Sequence, residues 1–308
     1  MNARFMVWAY AIVLVGLFVY PFESATDRLL RALWNWFHFP AFALLAWQVT
    51  ARFAQAKRSV VIVVWVSMVL FVPALELLQE HTGRNFAWED IWVGWAGIAV
   101  GGWLLPRRDA AMRRYAYRLV AAGCISLVTL MPTLWVLTDR MLMLDQFPVL
   151  ASFAWPGEEG RWVFSDVEVS RTRAHAGHDG RTWQVKIGAS SEYPGLFMTD
   201  LIHDWSRARG LLIYLYLPDA EPLSMWVRID DREQAAFAER YQAKKTLEPG
   251  LNRIRIDWSD GLIAEGGREM TLNRIHEWGV FFESDAGGRI VYLDRVELER
   301  NGYSAGYR

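Results

Sequence analysis

The sequence predicts two fold classes in one chain: a membrane all-α bundle of five transmembrane helices over residues 1–140, then an all-β sandwich of jelly-roll type over residues 146–308. Three observations carry this prediction. The first part holds five apolar stretches separated by short polar connections. Charge divides with them: up to Leu144 there are 13 Lys/Arg against 8 Asp/Glu, a net +5, whereas the remainder has 20 against 26, a net −6. After Asp145 the apolar pattern changes from long runs to short alternating segments. The mean hydropathy of +0.08 averages over these two regimes. Together they exclude a single uniform globular domain, a disordered chain and a basic-patch nucleic-acid binder. The lone Cys124 excludes an intrachain disulfide, which needs two cysteines.

The spans are expected at about residues 5–22, 36–53, 59–78, 90–105 and 115–137. Crossing a ~30 Å hydrocarbon core takes roughly 17 to 25 helical residues. The fourth stretch approaches that length only with Asp90 in its first turn, at or just inside the membrane surface. The first has Arg4 ahead of its apolar run, but Glu23-Ser24-Ala25 lacks the paired small residues of a cleavage site, so it reads as a retained anchor. Basic connections stay in the cytoplasm. These are Arg52, Lys57 and Arg58, and then Arg107, Arg108, Arg113 and Arg114. The expectation is a multi-pass protein of the cell membrane with a cytoplasmic amino terminus and an extracytoplasmic carboxyl domain.

Polar residues inside such spans are costly and need a partner or a recess. Glu76 and Gln79 share one face at the end of the third span, behind Pro73. With five spans, His38, Glu76, Gln79, Arg84 and Asp90 all converge on the outer membrane face. An arginine bridging Glu76 and Asp90 would clamp two helix ends; alternatively the group could bind an anionic or sugar headgroup, with Glu76 and His38 the candidates for any catalysis. Glu76-Leu-Leu-Gln79, Gly83-Arg84, and Asp90 with Gly97 and Gly101 resemble the hallmark of the VanZ-like membrane protein family, E-x-x-Q, G-R and D-x-x-x-N-x-x-G-x-x-x-G. Asn35-Trp36-Phe37-His38, followed by Phe42 and Leu45, is similar to the family's D-K-x-x-H-x-x-x-F-x-x-L, without its Asp-Lys pair, and Gly94 stands where the family has Asn. The resemblance covers about residues 5–105 and implies an envelope membrane protein. The family is named for a role in low-level resistance to the glycopeptide teicoplanin, and a shared fold does not transfer that role.

In the carboxyl half, segments such as 162–169, 182–187, 211–217, 224–229, 252–256 and 289–298 are short and rich in β-branched or aromatic residues. Turn signals at Asp179-Gly180, Pro194-Gly195, Pro249-Gly250 and Gly287-Gly288 separate them. About eight antiparallel strands are expected, with one helix from Arg232 to Lys244. Asp204-Trp205-Ser206, Val227-Arg228-Ile229-Asp230, Leu247 to Asn252 and Tyr292 to Leu298 are similar to the galactose-binding-like sandwiches found as carbohydrate-binding modules. That resemblance implies a structural calcium at Asp294 with Asp166 or Glu168; no other cofactor is expected. His175 and His178 flank Gly177 without a third metal ligand at suitable spacing.

Sugar binding needs an exposed aromatic platform beside planar hydrogen-bonding groups. Trp205 and Trp258 are the expected platform, with Arg228, Asp230 and Arg240 as polar partners, while Trp183 and Trp226 are expected to face the core. The leading expectation is therefore an envelope protein engaging a glycan, lipid-linked sugar or glycolipid, with the lipid bilayer as its other partner. The alternatives are a membrane-face transferase or hydrolase on a lipid-linked substrate, and a non-catalytic envelope scaffold.

Overall fold

The computed structural model describes residues 27–53, 55–80, 86–103 and 112–300, in two compact units, Met1–Leu137 and Thr138–Arg308. Four helices are described: α1 (Arg28–Arg52), α2 (Arg58–Glu80), α3 (Trp88–Trp103) and α4 (Met112–Gln146). The expected first span lies outside the described residues. Asp27 caps α1, its carboxylate accepting from the amides of Leu29 (2.8 Å) and Leu30 (3.2 Å), so this helix begins before residue 36, where the second span was expected. Among the described residues two helices are long and apolar enough to cross a membrane, in α2 over Arg58–Leu78 and in α4 over Tyr115–Gln146. Five spans are thus not supported. The 16 residues of α3 reach only about 24 Å, and α1 mixes its apolar residues with Arg28, Arg31, Asn35, His38 and Gln48.

In the helical unit the closest packing is between α1 and α3. A Cβ at Gly97 would collide with the carbonyl oxygen of Phe39, and one at Gly101 with that of Ala43, so glycine sets the separation of the two backbones. Phe42, Ala46, Met68, Val72, Ile91 and Ile98 fill the space where α1, α2 and α3 meet. Trp95 Nε1 donates to the carbonyl of Val69 (2.9 Å), joining α3 to α2, and Thr133 Oγ1 donates to that of Ala32 (3.1 Å), joining α4 to α1. Ile62, Val63, Val66 and Leu70 on α2, with Val120, Leu127, Val128 and Met131 on α4, leave large apolar side chains exposed.

The second unit begins within α4 and continues as eleven antiparallel strands: β1 (Val149–Ala151), β2 (Trp162–Ser165), β3 (Val167–Thr172), β4 (Thr182–Ile187), β5 (Gly195–Met198), β6 (Ala208–Leu217), β7 (Leu223–Asp230), β8 (Tyr241–Leu247), β9 (Gly250–Asp257), β10 (Glu277–Phe281) and β11 (Ile290–Arg300). One sheet runs β3-β4-β11-β6-β9 with β1 added to β11, the other β2-β5-β10-β7-β8. Alternation supplies the core: Leu211, Ile213, Leu215 and Leu217 of β6, and Met225, Val227 and Ile229 of β7, are buried with Trp183, Trp205 and Trp278. The helix expected over Arg232–Lys244 is a short 3-10 turn at Phe237–Glu239 followed by β8. Pairing of β8 with β7, from Leu223↔Leu247 to Ile229↔Tyr241, overrides the local helical propensity.

At the start of this unit, Arg161 and Asp139 form a buried ion pair, with Nη2 to Oδ1 at 2.7 Å and Nε to Oδ2 at 3.0 Å. Arg161 Nη1 also donates to the carbonyl of Leu150 (3.3 Å), fixing the last turns of α4 beside β1. The neighbouring Glu158 accepts from Ser152 Oγ (2.6 Å) and the Phe153 amide (2.6 Å). Burial still pushes its carboxyl up.

Candidate functional site

Two groups of side chains have the chemistry of a site, one in each unit. In the helical unit, His38 from α1, Glu76 from α2 and Asp90 from the first turn of α3 are 2%, 3% and 1% exposed. One ligand-capable atom from each lies within 4.8 Å of the other two. The glycine contacts that draw α3 onto α1 set the spacing of Asp90 and His38. His38 Nδ1 stands 3.1 Å from the carbonyl oxygen of Asn35, one turn back. A carbonyl only accepts, so Nδ1 carries the proton and donates, which leaves Nε2 to accept or to ligate. The side chain of Gln79 and the whole of Arg84 lie outside the described residues.

In the sandwich, parity along β7 puts Ser224, Trp226, Arg228 and Asp230 on the face opposite to the buried Met225, Val227 and Ile229. Registers with β10 (Gly279↔Arg228, Phe281↔Trp226), β5 (Gly279↔Phe197) and β8 (Trp226↔Lys244, Arg228↔Gln242) extend this outer face across the sheet. An aromatic ladder crosses it. The Trp226 ring lies parallel to Phe281 (6.0 Å, 6°), Phe281 stacks on Phe197 (6.4 Å, 27°), and the exposed Tyr193 meets Phe281 edge-on (5.9 Å, 88°).

Charged groups border the ladder in matched pairs. Arg228 forms a close two-pronged pair with Asp230, lies 3.2 Å from Glu277 and covers Phe197 at 5.3 Å. Arg240 reaches Asp230 at 3.9 Å and donates to the carbonyl of Ala235 (2.6 Å). Glu283 accepts from Trp226 Nε1 (3.0 Å) and Lys244 Nζ (2.8 Å), and these bonds hold its carboxyl down. Burial pushes Glu277 up, Asp230 adds to this and Arg228 opposes it. The face thus offers an indole and a phenol beside fixed donors and acceptors of both signs.

Arg228, Asp230 and Arg240 are brought together here, but the tryptophans expected beside them are not. Trp205 and Trp258 are 0% and 4% exposed and stack on each other in the core at 6.0 Å. They can be buried because each indole N–H donates to a carbonyl, of Ile202 and Ala208 respectively, both at 2.8 Å. Trp226, expected to face inward, supplies the aromatic surface instead. Its signal was the alternation itself: it shares parity with Ser224, Arg228 and Asp230. Phe281 and Phe197 had no such signal, because their strands are mostly buried.

The expected calcium ligands do not meet. Val167↔Ile187 and Leu293↔Trp183 put Asp166 and Glu168 roughly 13 Å along the strands from Asp294, and two strands across. Asp166 accepts from the amides of Ser190 and Ser191 (both 2.7 Å), and Glu168 pairs with Lys186 (3.1 Å) at the surface. Asp294, the extra residue of a β-bulge, accepts from the Gly177 amide (2.9 Å) and pairs with His178 Nδ1. His175 stacks on Tyr216 (3.7 Å), so the two histidines have separate partners.

No family model and no curated protein matches this sequence, so the VanZ-like resemblance gains no support from these comparisons. Solved structures similar to the sandwich include a family 11 carbohydrate-binding module from Clostridium thermocellum in complex with a β-1,3-1,4-mixed-linked tetrasaccharide, at 14% identity and a TM-score of 0.39 over 49% of this chain and 94% of that one. An exo-β-agarase (11%, TM-score 0.39, 46% and 23%) and an arabinose-bound α-L-arabinofuranosidase, MgGH51 (10%, TM-score 0.37, 49% and 26%), are also similar.

Proposed function

We propose that this chain is an integral membrane protein of the cell envelope, of VanZ-like type, that binds an envelope glycan, a lipid-linked sugar or a glycolipid through the outer face of its five-stranded sheet. The observation that carries the reading is the Trp226–Phe281–Phe197 ladder between the Arg228–Asp230–Glu277 group and the Lys244–Glu283 pair. A pyranose has an apolar face for the indole and a rim of hydroxyls for the paired ions. Around the ladder three cations (Arg228, Arg240, Lys244) pair with three carboxylates (Asp230, Glu277, Glu283), which disfavours a strongly charged ligand. The apolar exteriors of α2 and α4 favour lipid as their surroundings, and the basic connections favour the sandwich lying outside the membrane.

The test is glycan-array and calorimetric binding by the full chain in detergent micelles. Trp226→Ala should weaken binding of the sugar found at least tenfold while thermal unfolding stays close to wild type. Absence of binding across envelope sugars would sink the reading and favour a scaffold. The buried His38, Glu76 and Asp90 favour a second reading, a transferase or hydrolase on a lipid-linked substrate with Glu76 as base. Under it, Glu76→Gln abolishes turnover but leaves sugar binding intact.

A further inference from the structure

We infer that His38, Glu76 and Asp90 form a binding site for a single divalent transition-metal ion held between three helices. Each ligand comes from a different helix, α1, α2 and α3, so the three converge through tertiary packing and not through local spacing. With the ligand atoms no more than 4.8 Å apart, a point between them lies at most about 2.8 Å from each; closing to the roughly 2.0–2.2 Å of nitrogen and oxygen ligation takes side-chain shifts below about 1 Å. The imidazole is already arranged for this. Its Nδ1–H donates to the Asn35 carbonyl, the outer hydrogen bond that fixes a metal-binding histidine and presents Nε2.

Charge argues the same way. Two carboxylates with one neutral imidazole make a donor set whose charge matches that of a divalent ion. The donor types choose the ion. One imidazole with two carboxylates suits Zn2+ or Mn2+; Ca2+ and Mg2+ favour oxygen ligands alone, and the lack of thiolate disfavours Cu(I). Three protein ligands leave a coordination position for water or an oxygen of a bound headgroup. The glycines at 97 and 101 hold the frame, since their contacts with Phe39 and Ala43 lie beside His38 on α1.

The inference is independent of sugar binding by the sandwich. The probe is Co2+, which reports its ligands by visible absorption. Full-length protein, purified in detergent without a polyhistidine tag and stripped with chelator, is expected to bind one Co2+ per chain with a ligand-field band that Zn2+ abolishes. His38→Ala, Glu76→Gln and Asp90→Asn should each weaken uptake at least tenfold, and His178→Ala should leave it unchanged. No stoichiometric uptake, or wild-type uptake by His38→Ala, would overturn the site. If the variants fail to fold, X-ray absorption of the Zn2+-loaded wild type decides: one imidazole among oxygen ligands supports the inference, and no imidazole overturns it.

Discussion

Asp231 sits one residue beyond β7 with its side chain buried, and Arg268 grips both carboxylate oxygens at 2.6 and 2.8 Å while the Thr271 amide adds a third bond at 2.7 Å. Burial alone would push its carboxyl up; the bonds to Arg268 and Thr271 outweigh it and hold the group below the usual aspartate range. A depressed carboxylate contributes stability that is present above its unfolded pKa and is lost as pH falls through the folded one. Asp231→Asn should therefore cost about 2 kcal/mol at neutral pH, and the gap to wild type should shrink below about pH 4. Thermal unfolding of both proteins from pH 3 to pH 7 checks this; a gap constant with pH would show that the ionised form is not what stabilises. At this scale the sequence carried a parity signal that the expectation of an inward-facing Trp226 did not follow. Ser224-Met-Trp-Val-Arg-Ile places Trp226 with the polar set. Trp205 and Trp258, chosen for their Asp and Ser neighbours, are core residues because those neighbours close local turns: Asp204 accepts from Ser206 and Asp257 from Ser259.

At the scale of elements, the helix contacts make a contrasting pair of substitutions. Gly101→Ala introduces a methyl group where the Ala43 carbonyl already sits, while Gly123 in α4 has nothing within 4 Å of its missing Cβ. The first should destabilise the helical unit by about 3 kcal/mol, near the upper end for overpacking. The second should be neutral or stabilising by up to about 1 kcal/mol, because alanine is the better helix former. Unfolding midpoints of full-length variants in one detergent measure both, and equal effects would sink the close-approach account. Strand existence was readable from alternation, as in β4, β6, β7 and β11. The helix expected over Arg232–Lys244 failed because β7 offers β8 a partner along its whole length, a fact of topology that no window of sequence contains. Hydrophobic runs marked the helices but not their ends: α1 starts at Arg28, just after its aspartate cap and eight residues before the apolar stretch that announced it.

For the whole molecule, the division at residues 137/138 follows the change of apolar period, and the charge asymmetry supplies a direction that can be tested. Replacing Cys124, the only cysteine, by Ser allows single-cysteine labelling. A membrane-impermeant maleimide should label Asp260→Cys in intact cells and Lys57→Cys only after permeabilisation; the reverse pattern would invert the proposed orientation. Long-range convergence was legible only through the expected order of helices, not in any local window: His38, Glu76 and Asp90 are 38 and 14 residues apart, and packing of three helices brings them within 4.8 Å. One property of the sandwich matters most where many copies of the chain are crowded together. Among the described residues the five-stranded sheet ends at β8, whose outer edge pairs with no strand. It carries Lys244 on the outer face and Lys245 at the register of the buried Met225, on the core side. A second sheet docking against that edge would trap an ammonium between two apolar faces. Lys245 thus disfavours pairing of this edge with the sheet of a second chain.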